Sequence, residues 1–238
     1  MHNKVVNLMY KAIIFDFGNT LAGSASLIDS LIPILKNEKA KIVGTQIENE
    51  IRALYKPDQR LQPDWKGIWE RCFNQSGLSF NEEVGRRHLE EFCRLNKTFP
   101  QVIDLLSELK QNGFKLGLLS NVTGPHDIFQ KDLDARGLSK YFDSVIWSSE
   151  VGYRKPSSKV FEIILAELSV KPKDALMVGD SEIADIGGAS NIGMDAVLVS
   201  LEGNLKTKAK YQAASSRMFN DVIAIISIGT RLVSSRGL

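Results

Sequence analysis

The chain has 238 residues, 43% hydrophobic and 24% charged, and its 30 Lys and Arg against 28 Asp and Glu leave a formal net charge of +2. That balance is too apolar for a disordered chain, and it offers no general attraction to nucleic acid. No run approaches about 18 uninterrupted apolar residues, which excludes a membrane span. The opening MHNKVVNLMY is too short and too polar for a signal-peptide core, so a cytoplasmic location is expected. Cys72 and Cys93 form no CxxC pair and have only His88 nearby, so they read as buried thiols in a reducing compartment. With His2, His88 and His126 scattered, neither a zinc site nor a Cys-His nucleophile assembles. From Leu201 onward the chain is basic without interleaved aromatics and reads as solvated surface.

In chain order, Ala12–Phe15 is a short, continuously apolar run of the kind expected for a strand buried on both faces. Between about Gly23 and Thr98 no strand is convincing. Amphipathic helical segments follow instead, over 27–36, 47–55, 65–75 and 82–95. A block of this length is too long for a loop in a compact domain, so it reads as a helical insert that leaves the sheet after the first strand. A helix from Pro100 carries Val102, Leu105, Leu106 and Leu109 on one face, with Gly113 past its end. Strands are then expected over 115–119, 144–147, 175–178 and 196–199, with a helix from Ser157 between two of them and a last helix over 219–228 started by Asn220 or Asp221. The reading is an α/β fold, a Rossmann-like doubly wound parallel sheet formed by 1–22 and 99–238, with an inserted α-helical cap over 23–98.

Open α/β sheets place ligands at the carboxyl ends of their strands. After the first apolar run comes Asp16, within Asp16-Phe17-Gly18-Asn19-Thr20-Leu21; after the second come Ser120 and Asn121. Gly152-Tyr153-Arg154-Lys155-Pro156 follows the third, and the fourth runs into Gly179-Asp180-Ser181-Glu182-Ile183-Ala184-Asp185. Three carboxylates, a hydroxyl–amide pair and a lysine thus meet on one rim. Carboxylates suit Mg²⁺, a hard ion that takes oxygen ligands; the metal neutralises a phosphate that would repel an attacking Asp. Such an Asp can form an acyl-phosphate, while a lysine, a serine and backbone amides hold the transferring oxygens.

In these four segments, FDFGNTL, LLSN, GYRKP and VGDSEIAD, the sequence resembles the haloacid dehalogenase-like superfamily over roughly residues 10–200. Any one motif is weak, but four in order at successive strand ends are specific. The insert is similar to that superfamily's type 1 helical cap. The resemblance implies a Mg²⁺-dependent phosphatase acting on a small phosphorylated molecule. Asp16 would be the nucleophile. Asp16, the Gly18 carbonyl, Asp180 and Asp185 would be the metal ligands, and Ser120, Asn121 and Lys155 would bind the phosphoryl group. Nothing in the sequence sets an oligomeric state.

One departure bears on function. Phosphatases of the superfamily usually carry a second Asp two residues after the nucleophile, as acid for the leaving group and base for water; here that position is Gly18. A positioned acid–base contributes about 10²–10⁴-fold. The chain is then a phosphatase for good leaving groups or one that borrows an acid from cap or substrate. The alternatives are a ligand- or partner-binding protein on the same fold, or a dehalogenase or phosphonate hydrolase. Smaller expectations concern the neighbours. Asn19 is to take a left-handed turn and Thr20 to hydrogen-bond within its loop. Trp65 and Trp69 are to pack. His126 is an acid–base stand-in or a surface residue, and Arg154 extends the phosphate site or faces solvent.

Overall fold

A computed structural model describes residues 9–201 and 206–234. Residues 1–8, most of the opening segment read above, lie outside the described residues, as do 202–205 and 235–238 of the basic C-terminal stretch. Six strands, β1 (Ala12–Phe15), β2 (Lys115–Ser120), β3 (Ser144–Trp147), β4 (Ala175–Gly179), β5 (Asp195–Ser200) and β6 (Tyr211–Ala214), form one sheet in the order β3-β2-β1-β4-β5-β6. Every pairing is parallel, with Phe15 of β1 opposite Leu118 on one side and Val178 on the other.

The helices are α1 (Leu27–Leu35), α2 (Lys39–Arg52), α3 (Trp65–Gln75), α4 (Glu82–Leu95), α5 (Val102–Gln111), α6 (His126–Ala135), α7 (Ser148–Val151), α8 (Ser158–Glu167), α9 (Gly188–Asn191) and α10 (Met218–Ser234). Alternate residues of β1 serve opposite layers. Ile13 and Phe15 pack with Leu105 and Leu109 of α5 and Val222 of α10, whereas Ala12 and Ile14 pack with Val160, Phe161 and Ile164 of α8. The period of two in a strand buried on both faces makes the sheet doubly wound. The strand order reverses between β1 and β4, which opens the crevice where such sheets bind ligands.

The helices α1–α4 occupy the stretch between β1 and α5. Two match the expected bounds, and α2 begins eight residues earlier than the expected 47–55. Gly44 lies inside it, where a Cβ would come within 2.7 Å of Ile28 Cα: the glycine lets α2 cross α1 closely and does not break the helix. Trp69 is buried and stacks edge-on against Trp65, so both tryptophans pack as expected.

Two further expectations are corrected. The stretch after Leu201 is not merely solvated surface, because Tyr211–Ala214 extends the sheet with Ala213 and Ala214 buried. The last helix starts at Met218 rather than at Asn220 or Asp221 and runs to Ser234; the Asp221 carboxylate instead accepts a bond from the Ala214 amide at 3.0 Å. Among the described residues no helix is long and apolar enough to cross a membrane.

Candidate active site

The β1 chain ends on Asp16, whose amide donates to Val178 O of β4 at 2.9 Å, fixing the carboxylate at the strand crossover. The chain then turns sharply: the amides of Leu21 and Ala22 both donate to Phe17 O at 2.9 and 3.0 Å. Asn19 takes φ +55° within this turn, as its residue type allows. Thr20 departs from expectation, since its Oγ1 is buried with no protein partner rather than bonded within the loop.

Lys155 is the centre of the charge arrangement. It is 2% exposed; its Nζ lies 2.7 Å from Asp16 Oδ1 and 2.6 Å from Asp185 Oδ1, and also donates to Leu119 O at 2.7 Å. Burial alone would push its ammonium down, but Asp16 and Asp185 raise it above the ordinary lysine value. Asn121 holds this residue from β2: its Oδ1 accepts from the Lys155 amide and its Nδ2 donates to Lys155 O, each at 2.9 Å. The Asn121 side-chain amide is thereby committed to Lys155. The hydroxyl of Ser120, one residue earlier, donates to Asp16 Oδ1 at 3.2 Å.

The other two carboxylates, Asp180 and Asp185, come from the residue after β4 and from the helical turn Glu182–Gly187. Ser181 caps that turn, its Oγ accepting from the Ala184 amide, and its own amide donates to Asp185 Oδ2 at 2.9 Å. Carboxylate oxygens of Asp16, Asp180 and Asp185 all lie within 4.8 Å of one another. Two of the three carboxylates thus pair with the one ammonium. Burial, then the charges of Asp16 and Asp185, push the Asp180 carboxyl up to about 7, against a bond from Asn19. Asp185 is raised to about 6, first by burial, with Lys155 opposing. Gly18 stands on the same loop, and the space a Cβ would occupy there is open to 4 Å.

A cavity of about 590 Å³ lies above these groups. Its floor is Asp16, Ser120, Lys155, Asp180 and Asp185; its roof comes from α2 and the turn after it, through Glu48, Ile51, Arg52 and Tyr55, and from Leu89, Phe92 and Cys93 of α4. The chain leaving α2 is stitched to the core by Gln62. Its amide donates to Gly152 O, its Nε2 to Val122 O, and its Oε1 accepts from the Ser148 hydroxyl.

The structure therefore brings Asp16, Gly18, Ser120, Asn121, Lys155, Asp180 and Asp185 to one cavity. Of the two readings of His126 the surface one holds: it is the exposed first residue of α6, outside the cavity lining. Arg154 does not face solvent; it is 1% exposed, with its guanidinium 5.5 Å from the Tyr55 ring centroid. Tyr55 and Gln62 carry no local sequence signal, because their places depend on how the helical segment folds back.

Many unrelated proteins share this strand order, and what sets this sheet apart is the Asp–Lys–Asp cluster at its crossover. Over residues 10–193 the sequence matches the haloacid dehalogenase-like hydrolases, and the chain belongs to that family. It is 32% identical over 206 residues to the glyceraldehyde 3-phosphate phosphatase of Methanothermobacter thermautotrophicus, covering 82% of this chain and 87% of that one. To the phosphoglycolate phosphatase of Aquifex aeolicus it is 30% identical over 196 residues, covering 79% and 84%. Among solved structures, a phosphatase of the same family from Thermococcus onnurineus superposes with a TM-score of 0.65 at 27% identity, over 90% of this chain and 97% of the other.

Proposed function

We propose that the protein is a Mg²⁺-dependent phosphatase of small phosphate esters that works through an aspartyl-phosphate on Asp16, with 23–98 as its cap. The observation that carries this reading is the set around Asp16: a buried carboxylate held by Ser120 and Lys155, facing Asp180 across the strand crossover. Relatives named as phosphatases of glyceraldehyde 3-phosphate and of phosphoglycolate support the substrate class.

The residues fit a hard divalent cation. Two buried carboxylates and a half-buried one, with oxygens within 4.8 Å of one another, against one ammonium leave uncompensated negative charge, and carboxylate oxygens suit such an ion. Asp16, Asp180 and the Gly18 carbonyl would hold the ion, with Asp185 behind them, braced by Lys155 and the Ser181 amide. When bound, Mg²⁺ supplies charge neutralisation of the phosphoryl group. The chain does the rest. Lys155 and Ser120 orient the Asp16 carboxylate and stabilise the oxygens as the phosphoryl group moves onto it. The α2 and α4 side chains exclude water and select the leaving group.

The test is phosphate release from para-nitrophenyl phosphate with and without Mg²⁺, by wild type and Asp16→Asn. Metal-dependent turnover that Asp16→Asn abolishes supports the reading. Calorimetric Mg²⁺ binding without turnover on a broad ester panel would sink it in favour of a binding protein, the reading that Gly18 otherwise favours. Halide release without metal would point to a dehalogenase.

A further inference from the structure

Breaking a phosphate ester of an ordinary alcohol requires a proton for the departing oxygen, and Gly18 supplies none. Around the cavity few groups can. Lys155 is committed to two carboxylates, and Asp180 and Asp185 belong to the metal cluster. Glu48 is engaged by Arg52 at 3.0 Å. Cys93, a buried thiol pushed up to about 12 first by burial, is a poor donor. His126 lies elsewhere.

Tyr55 remains, and a second observation singles it out. Arg154 is 1% exposed, yet its Nε and Nη1 have no hydrogen-bond partner in the protein, and among the described residues no ion pair serves it. A buried cation without a counter-ion is costly, and the group it does meet is the ring of Tyr55, 5.5 Å away. Tyr55 lines the cavity beside Asp16 and Lys155, and 42% of its surface is exposed. Burial and the Asp16 charge hold the phenol above its ordinary value, so it is a proton donor at rest, while Arg154 and Lys155 act in the opposite sense and favour the anion.

Resting on the phosphatase reading, we propose that Tyr55 is the acid–base residue of this site and that Arg154 is its counter-ion. In the first step the bond between phosphorus and the leaving oxygen breaks as the Asp16 oxygen bonds to phosphorus. The Tyr55 proton passes to the departing oxygen, leaving a phenolate beside the guanidinium. In the second step water attacks phosphorus, its proton returns to Tyr55, and the Asp16–phosphorus bond breaks to release phosphate. No other co-reactant is consumed. The cap thereby supplies from above what the loop after β1 lacks.

The experiment measures kcat with Mg²⁺ for an alkyl ester, glycerol phosphate, and for an activated aryl ester, para-nitrophenyl phosphate, whose leaving group needs no proton. Tyr55→Phe keeps the ring against Arg154 and removes only the hydroxyl. The alkyl-to-aryl ratio is expected to fall about 100-fold in Tyr55→Phe, and adding Gly18→Asp, whose side chain enters open space, is expected to raise it again. A ratio unchanged in Tyr55→Phe, whether or not both rates drop, overturns the proposal and reduces Tyr55 to a wall residue. Wild-type protein that releases phosphate from neither ester overturns the phosphatase reading itself, and this assignment with it.

Discussion

Gly179 and Asp185 are in such close contact that a Cβ on the glycine would lie 2.4 Å from the Asp185 Cγ. The last residue of β4 is therefore bare so that a carboxylate can fold back against the strand and reach Lys155. Gly179→Ala displaces Asp185, whose Oδ1 meets Lys155 at 2.6 Å. The expected result is a folded protein with Mg²⁺ affinity weakened about 10–100-fold, the scale for disturbing groups that brace metal ligands. Isothermal calorimetry on the variant checks this, and unaltered affinity would contradict it.

Lys155→Met leaves Asp16 and Asp185 buried together without their cation. Breaking a buried pair from one side costs about 3–5 kcal/mol, so a loss of that order is expected in urea unfolding near neutral pH, together with loss of turnover. Burial already raises Asp185 to about 6 with the lysine present. Without it the carboxylates take up protons more readily, so the deficit should shrink as pH falls below that value. A deficit constant with pH would argue against the arrangement.

Arg154→Met should behave in the opposite way. The guanidinium has no hydrogen bond at Nε or Nη1 to lose, and burial pushes it below its ordinary value. A methionine of similar length keeps the contact with Tyr55, so unfolding free energy is expected to hold or rise. Turnover of alkyl esters is expected to fall. A destabilised Arg154→Met would show that the arginine is structural.

His88 provides a pH test outside the carboxylate cluster. Its Nδ1 accepts from Trp69 Nε1 at 3.1 Å, and its Nε2 contacts Leu27 O at 2.8 Å, which fixes the neutral tautomer with hydrogen on Nε2. Burial depresses its pKa from 6.5 to about 4, with the Leu27 carbonyl opposing. The unfolded chain binds the proton more readily, so this contribution is complete above pH 6.5 and lost as pH falls toward 4. By linkage the loss is on the order of 3 kcal/mol. Urea midpoints of wild type and His88→Gln across that interval should converge at the acid end; parallel curves would refute the assignment.

The five strands and the floor of the site were legible because both are written in short contiguous segments. An apolar run followed by Asp16, Ser120 or Asp180 declares its strand and its rim residue together. The sixth strand was not, since Tyr211–Ala214 is a short edge strand in a lysine-rich stretch and buries only its last two residues fully. The start of α2 was missed because Gly44 reads as a weak helix former until Ile28 is seen against it. Arg154 read equally as an extension of the phosphate site or a solvent-facing residue, and Tyr55 as the end of a helix. What gives each its place is the other, 99 positions away by their numbering, and no local pattern encodes such a meeting.

Gln62 reaches the loops after β2 and β3 at once, through Val122, Ser148 and Gly152, and the neighbouring Arg60 O accepts from the Arg154 amide at 3.0 Å. The roof is therefore sewn to the same two loops that present Ser120 and Lys155. Exchanging residues on the inner face of α2 changes what fits beneath the roof, whereas changing the seam shifts roof and floor together. On the proposed phosphatase reading, selectivity and catalytic alignment have separate handles in this chain, and Gln62 belongs to the second.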